Sequence, residues 1–478
     1  MDTERKYDVI VIGAGVAGAS VARELSKYGL SVGVIEKEAD ISFGATKGSH
    51  GLVHCGIPAP GAPLRSGGEL RGNIGFEAVC RELDVPFERI GKLLVAFNAA
   101  EVEALGAIEA ATTAHGVAGL ELIQDKGRLK EMEPNLSDAV VAALYTPSTG
   151  VADPWSFAIA LLENAMANGV GLRVNTRVCG IKRDGSDGYV LETTAGTFRA
   201  GSVVNAAGAA GAVIARMAGD TSFAIKGLRF QRIIMDKACG GMVRHLVRGL
   251  KNGAAAGDFA FPTIDGNVMV GSTVEPMSDM DDATTTRGGL CDWVIPKYRQ
   301  MFPTLSPDKA IKPFAAVLPL PGPEFHIAPA PESPGFFNFM LGVSGFTASF
   351  VMAEHLVRNV MEPAGLRLAE RADFNPRRKD IPHFAALDND ARAAAIAADS
   401  RCGHVVCRCE TVTEGEIVEA IRRGATTRDG VKFRTRAGMG RCQSNFCGHK
   451  TLEIMQRELG VPVETITKKG AGSEELVP

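Results

Sequence analysis

Four of the chain's ten cysteines form two close pairs, Cys407-Arg-Cys409 and Cys442-Gln-Ser-Asn-Phe-Cys447, in the pattern C-x-C-x32-C-x4-C. Thiolates are soft ligands, and four in two pairs suit either tetrahedral zinc or a [2Fe–2S] cluster. Zinc fingers usually separate paired ligands by two to four residues. A single intervening residue can instead sit in a loop around a two-iron rhomb, so the cluster is the preferred reading and zinc the alternative. A second reactive group is His50 and His54, four apart in the small-residue loop Gly44 to Gly56. Their ordinary pKa near working pH makes either ring a candidate base. The third is Gly13, Gly15 and Gly18 in G-x-G-x-x-G order, with Glu36 twenty-three residues after Gly13. Gly13 allows a tight turn, Gly15 lets backbone approach a pyrophosphate, and Gly18 permits close helix-strand packing. Glu36 can accept hydrogen bonds from a ribose diol.

These groups need elements to hold them. Tyr7 to Glu36 reads as a buried strand (Val9 to Ile12), the glycine turn, an alanine-rich helix and a second strand ending at Glu36, so the helix start offers free N–H groups to phosphates. Helices are expected at Glu69 to Leu83 and Ala99 to His115, around a strand from Lys92 to Phe97. Thr146 to Pro154 reads as a turn-rich break. A second αβ stretch follows: helix Trp155 to Asn168, a strand from Leu172 to Val174 continuing towards Val178, a hairpin near Asp184 to Asp187, and a strand from Thr197 to Asn205. That strand ends in Asn205-Ala206-Ala207-Gly208, small enough for backbone to approach a ligand. Lys226 to Pro319 is β-rich, with strands at Arg229 to Met235 and Val268 to Gly271, and suits a substrate roof. Phe336 to Leu341, the turn Gly342 to Thr347 and a helix from Ala348 to Val360 repeat the opening architecture. Backbone N–H groups at that helix start can stabilise negative charge on a reduced flavin.

The resulting fold class is α/β: a Rossmann-type nucleotide domain interleaved with a β-rich substrate domain, plus a small helical C-terminal domain. The nucleotide domain takes residues 1–75, 145–225 and 325–362, and the substrate domain 76–144 and 226–324. A proline- and charge-rich linker covers 363–399, and the cysteine domain 400–478. In the last, Thr413 to Arg423 is an amphipathic helix with Thr413 and Glu416 at capping-box spacing, and Lys450 to Leu459 is another. The chain has 478 residues, ample for such an arrangement, and its net charge of −3 gives no reason to expect nucleic acid as a partner. No apolar run is long enough to span a bilayer, and unpaired cysteines fit a reducing compartment, so the cytoplasm or the inner face of a membrane is expected.

The motifs GATKGSHGLVHCG (44–56), VVNAAG (203–208), PTIDGNVMVGSTVE (262–275), VCRCETVTEGEI (406–417) and RTRAGMGRCQSNFC (434–447) carry a resemblance. Residues 6 to about 362 resemble the D-amino-acid-oxidase-like superfamily of FAD enzymes, in the branch of glycerol-3-phosphate and L-2-hydroxyglutarate dehydrogenases. The tail from about 400 resembles the bacterioferritin-associated-ferredoxin-like [2Fe–2S] domain. Joined in this order, the two are most similar to the family of A subunits of anaerobic glycerol-3-phosphate dehydrogenases.

The resemblance implies FAD, with its ADP on Gly13, Gly15, Ala17, Gly18, Glu36 and Lys37, and adenine beside Val178. It places the flavin against Thr46, Ser49 and His50, close to Ala207 and Gly208, with the ring oxygen near Gly342, Phe346 and Thr347. The cluster ligands are Cys407, Cys409, Cys442 and Cys447. The expected reaction takes hydride from the CH–OH of a small polar substrate, with His54 as first choice of base, then His50 and His326. Electrons would leave through the cluster to partner subunits or a membrane quinone rather than to oxygen. The family's Gly-x-Arg-Pro arginine, which holds an anionic substrate, is Leu318 here. Arg229 and Arg232 are the candidate replacements. Two rivals stand beside this reading: oxidation of a C–N bond in a secondary amine or imino acid, and a non-catalytic electron-transfer subunit.

Overall fold

The computed structural model describes residues 1, 6–185, 188–250 and 259–476. The chain opens with β1 (Lys6–Ile12), α1 (Val16–Leu25) and β2 (Val32–Ile35). Val9 to Ile12 are buried, as a central parallel strand requires. β1 and β2 pair in parallel, Ile12 opposite Ile35, so Gly13 and Glu36 emerge side by side. Next come β3 (Leu52–Val53), α2 (Pro63–Leu83), β4 (Lys92–Ala96), β5 (Ala142–Thr146), β6 (Gly150–Ala152), α3 (Pro154–Ala167) and β7 (Gly196–Asn205). Two expected domain boundaries fall inside these elements. Position 75 lies in the middle of α2, whose first position is Pro63 and whose end is closed by Asp84 at φ +54, and position 145 lies within β5. The expected break at 146–154 holds β6, a short strand paired with β3.

The roof consists mainly of β8 (Lys226–Met235), β9 (Leu246–Gly249), β10 (Val268–Gly271) and β11 (Ala310–Leu320). The chain then returns through β12 (His326–Pro329), β13 (Phe336–Met340) and α4 (Gly345–His355). Among the described residues an eight-stranded sheet runs from Val178–Arg183 through β7, β1 and β2 to Gly171–Arg173, with β13 parallel to β7. The strand expected to continue from Leu172 to Val178 is therefore two strands at opposite edges. The chain crosses between them at Asn175, at φ +52, whose N–H donates to Glu38 O at 2.8 Å. The expected hairpin near 184–187 joins Val178–Arg183 to Tyr189–Thr193, with residues 186 and 187 outside the described set. Among the described residues, β4, β5 and β8 to β11 belong to a nine-stranded sheet with a separate apolar core.

The tail has its own core and is built on α5 (Glu414–Arg422), α6 (Arg428–Thr435) and α7 (Gly448–Leu459). The expected capping box is present: Thr413 N–H donates to Glu416 Oε2 at 2.8 Å and Glu416 N–H donates to Thr413 Oγ1 at 3.4 Å. The stretch before it packs on α3, with Asn164 Nδ2 donating to Asn375 O at 3.0 Å, and it contains a helix, Asn389–Ala398, that a pure linker would lack. Among the described residues no helix is long and apolar enough to cross a membrane.

Candidate active site

At the nucleotide end, Gly13 sits at φ +106, and a Cβ there would lie 2.6 Å from Ala206 O. No side chain caps the start of α1 at Gly15. Instead Val16 N–H donates to Thr46 Oγ1 at 3.0 Å, which fastens the loop after β2 to the helix start. Glu36 is buried. Its two oxygens accept from Ala14 N–H at 2.7 Å and Glu38 N–H at 2.9 Å, leaving lone pairs for ribose hydroxyls. Burial pushes its carboxyl upward, against those two bonds. Ala17 lies in the first turn of α1, Lys37 pairs with Glu38 at 3.3 Å, and Val178 is buried in the core beside Ile12 and Ile35. A helix N-terminus with no side chain at its cap residue, a cradle closed to side chains and a buried acid fit an ADP moiety.

Further along the loop, Ser49 Oγ accepts from Gly51 N–H at 3.3 Å, and His54 N–H donates to Thr347 Oγ1 at 3.0 Å. The second bond joins the histidine loop to the start of α4. Phe346 turns its ring into the core, 5.2 Å from Phe76 and 5.6 Å from Phe157, so its backbone and not its ring is what the site can use. Ala207 and Gly208, the latter at φ +54, follow the end of β7, and Gly342 O accepts from Gly345 N–H at 3.1 Å. The start of α4, joined to the histidine loop by that bond, offers backbone N–H groups of the kind that hold a planar ring system.

His50 and His54 meet edge to face, with ring centroids 5.3 Å apart. Leu52 N–H donates to His50 Nδ1 at 3.0 Å, so the neutral ring carries its proton on Nε2 and presents a donor. Burial, then the charges of Arg232, His54 and Arg248, hold His50 well below the usual histidine range. His54 is pushed down to about 3 by burial and then by Arg248, Lys92 and Arg65. Both rings are neutral at working pH in a strongly cationic neighbourhood.

Arg232 and Lys92 supply much of that field. The buried Arg232 donates from Nη1 to Gly48 O at 2.8 Å, and its guanidinium lies 5.2 Å from the Phe230 ring. Burial lowers its pKa to about 9. Lys92, also buried, donates to Cys55 Sγ at 3.1 Å. Among the described residues neither has a carboxylate within ion-pair distance, although Lys92 acts through space on the buried Glu69 carboxyl. Arg232 lies opposite Phe314 and Leu228 opposite Leu318, so Arg232 shares a sheet face with Leu318 and sits four residues, roughly 13 Å, along it. Arg229 faces the other way and is consumed by Glu275 at 2.6 Å and Asp282 at 3.1 Å, so its candidacy as an anion clamp is overturned. His326 is likewise displaced. It stacks on Phe223 with centroids 4.2 Å apart, and among the described residues no hydrogen bond, ion pair or ring contact links it to His50 or His54. Lys92 escaped the sequence reading, although a charge opening the wholly buried strand KLLVA is a signal.

In the tail, Cys407 and Cys447 are buried, Cys442 is partly covered and Cys409 is exposed. Cys447 beside it, with the N–H groups of Gly438, Glu410 and Cys409, pulls the Cys407 thiol down to about 6. Gly438 N–H lies 3.5 Å from Cys407 Sγ, and a Cβ on Gly440 would sit 2.2 Å from Cys409 Cβ. Cys407 touches Cys447 and Cys409 touches Cys442, while among the described residues no three His, Cys, Asp or Glu side chains stand close enough together to hold a single metal ion. Two thiol pairs in a tight loop with N–H donors fit a two-iron cluster. The tail packs against the loop that follows β2 and against the start of α3. Arg434 of α6 makes a bidentate pair with Asp40 at 2.5 and 2.8 Å, and the Phe433 ring lies 5.7 Å from Phe43 and 5.3 Å from Trp155.

Comparison with known proteins agrees with this geometry. The FAD dependent oxidoreductase family matches residues 8–359, and the BFD-like [2Fe-2S] binding domain matches residues 405–457. Glycerol 3-phosphate dehydrogenase of Caloramator mitchellensis is 37% identical over 471 residues, covering 98% of this chain and 97% of its own length. Subunit A1 of the anaerobic glycerol-3-phosphate dehydrogenase of Haloferax volcanii is 26% identical over 503 residues, covering 94% and 82%. Dithionite-reduced L-alpha-glycerophosphate oxidase from Mycoplasma pneumoniae, solved with FAD bound, shares the fold with a TM-score of 0.73 at 24% identity, over 78% of this chain and 99% of that one. With family, cradle and cysteine loop in agreement, the chain belongs to the FAD-dependent oxidoreductases and carries a [2Fe–2S] cluster in its C-terminal domain.

Proposed function

We propose that the protein is a dehydrogenase of small hydroxylated anions of the glycerol-3-phosphate kind, handing electrons through the cluster to a partner protein or a membrane quinone rather than to oxygen. The observation that carries this is Arg232, a buried cation with no carboxylate partner, hydrogen-bonded to the flavin-side loop at Gly48 O. An unpaired buried charge is costly, and a substrate anion relieves it. The name of the Caloramator relative supports the same substrate class.

In this reading Gly13, Gly15, Gly18 and Glu36 hold the ADP half of FAD, Thr46 to His50 with Phe346 and Thr347 hold the flavin half, and Cys407, Cys409, Cys442 and Cys447 hold the cluster. FAD supplies the two-electron acceptor and the cluster a one-electron outlet. Arg232 and Lys92 bind the anionic end of the substrate and fix its carbinol carbon. His50 donates from Nε2 to the substrate oxygen and orients it, since its Nδ1 is occupied by Leu52 N–H. His54 takes the hydroxyl proton on its ring. Its low pKa rises once the substrate's negative charge offsets the nearby cations, so the base strengthens only when the site is filled.

The test is an anaerobic titration of the holoprotein with glycerol-3-phosphate, 2-hydroxy acids and N-alkyl amino acids. Loss of the flavin band with the phosphate alcohol, followed by the signal of a reduced cluster, is expected. Bleaching by amines alone would transfer the assignment to C–N oxidation.

A further inference from the structure

Arg436 closes α6 at φ +68, a left-handed position where helices ordinarily place glycine because a Cβ is disfavoured there. Its largely buried guanidinium instead meets carboxylates from three parts of the molecule. Asp265, in the turn before β10, lies at 2.5 Å, Glu410 at 3.0 Å, and Asp153 at 3.7 Å. Glu410 is the neighbour of Cys409 and also accepts from Lys237 Nζ at 2.9 Å. Asp153 follows β6, where Ala152 N–H donates to Gly51 O at 3.0 Å, between His50 and β3. Two residues beyond Arg436, Gly438 N–H reaches Cys407 Sγ at 3.5 Å. One side chain therefore touches the neighbour of a cysteine ligand and lies against the residue that follows the strand beside the histidine loop.

We propose that Arg436 is a positioning residue for electron transfer, fixing the cysteine loop against the flavin-side loop and holding up the cluster's reduction potential by countering Glu410. Reducing the cluster adds negative charge next to a carboxylate, which a nearby cation favours and a Glu410 left with only the Lys237 ammonium opposes more strongly. The inference rests on the proposed passage of electrons from flavin to cluster and not on the identity of the substrate.

The test is a potentiometric titration of the holoprotein with dithionite and mediators, followed by cluster EPR and flavin absorbance, with no substrate present. Arg436→Gln is expected to lower the equilibrium constant for cluster reduction about tenfold relative to the flavin, a fall of about 59 mV for one electron. Glu410→Gln shifts it the opposite way, Arg436→Lys falls between Arg436→Gln and wild type, and the flavin midpoint stays in place. Arg436→Gln also slows equilibration from flavin to cluster. Should Arg436→Gln lose its cluster, Arg436→Lys and Glu410→Gln carry the test. Shifts absent or of one sign in both the arginine and glutamate variants overturn the charge role, and unchanged equilibration in the arginine variants overturns the positioning role. If the wild-type flavin and cluster do not equilibrate at all, the underlying electron route fails whatever Arg436 does.

Discussion

Arg229 and Arg232 stand three residues apart on β8, and the pleat turns them to opposite faces of the roof. Arg229 reaches Glu275 and Asp282, while Arg232 reaches the carbonyl of Gly48 in the loop that holds the histidines. Two arginines indistinguishable by composition thus have different tasks, decided by the parity of one strand. Leu318, where the family resemblance implies an arginine, lies on the face of Arg232, four residues along the same sheet.

Removing Arg232 should therefore weaken substrate binding. A charge-assisted hydrogen bond is worth about 1.5–3 kcal/mol, so Arg232→Met is expected to raise KM for a phosphate alcohol roughly 10- to 100-fold with a smaller change in kcat. Arg229→Met should leave KM near wild type and lower thermal stability, because two carboxylates lose their partner. Steady-state kinetics and melting of the two variants check the assignment, which an unchanged KM in Arg232→Met would contradict.

The two histidines should separate in pH profiles. A base must be neutral, so rate falls as pH drops through its pKa. kcat/KM reports the free enzyme, where His54 is held near 3, and should stay flat on the acid side down to about pH 5. kcat reports the filled site, where substrate charge raises that pKa, so its acid limb should lie at higher pH. Lys92→Met removes one of the depressing cations and should move the kcat/KM limb upward. His54→Gln should cost about 10²–10⁴ in kcat, the usual worth of a general base, and His50→Gln, which keeps a donor, distinctly less.

Much of this was legible in the sequence because it depends on local pattern. The glycine turn, Glu36, the capping box of Thr413 and Glu416, and the cysteine spacing all depend on residues near one another in the chain. What stayed hidden depends on pairing between distant strands. The register of β8 with β11 decides which arginine faces the site, and stacking on Phe223 takes His326 away from the histidine pair. α6 was missed because its eight residues are charge-rich, with only Val431 and Phe433 as large apolar side chains, and it is held by contact with Asp40, Phe43 and Trp155.

That contact gives a stability prediction. Arg434 and Asp40 are each only 3% exposed in their side chains and are joined by two hydrogen bonds. Removing one partner of a buried pair leaves an uncompensated charge and typically costs about 3–5 kcal/mol. Arg434→Met should lower the melting temperature sharply, and the double variant Arg434→Met with Asp40→Leu should recover much of the loss. A double variant no more stable than the single one would show that packing around Phe433, and not the charge, holds the tail in place.

His383 ties the stretch before the tail to α5 and makes that attachment sensitive to pH. Its Nε2 lies 3.2 Å from Asp380 Oδ2 and its Nδ1 lies 3.8 Å from Glu416 Oε1, the capping-box glutamate. The hydrogen bond with Asp380, then the nearby Glu416 carboxylate, raises its pKa to about 10 despite partial burial. A raised pKa means the folded state binds the proton more tightly than the unfolded chain, whose histidine titrates near 6.5. The stabilisation is therefore complete below about pH 6.5 and is lost as pH climbs through about 10. Allowing for solvent screening of a partly exposed ring, His383→Gln should cost about 1–2 kcal/mol at pH 6 and nearly nothing above pH 10. Urea unfolding of both proteins at the two pH values measures this, and an equal loss at both would mean that the ring acts through packing and carries no charge in the folded protein.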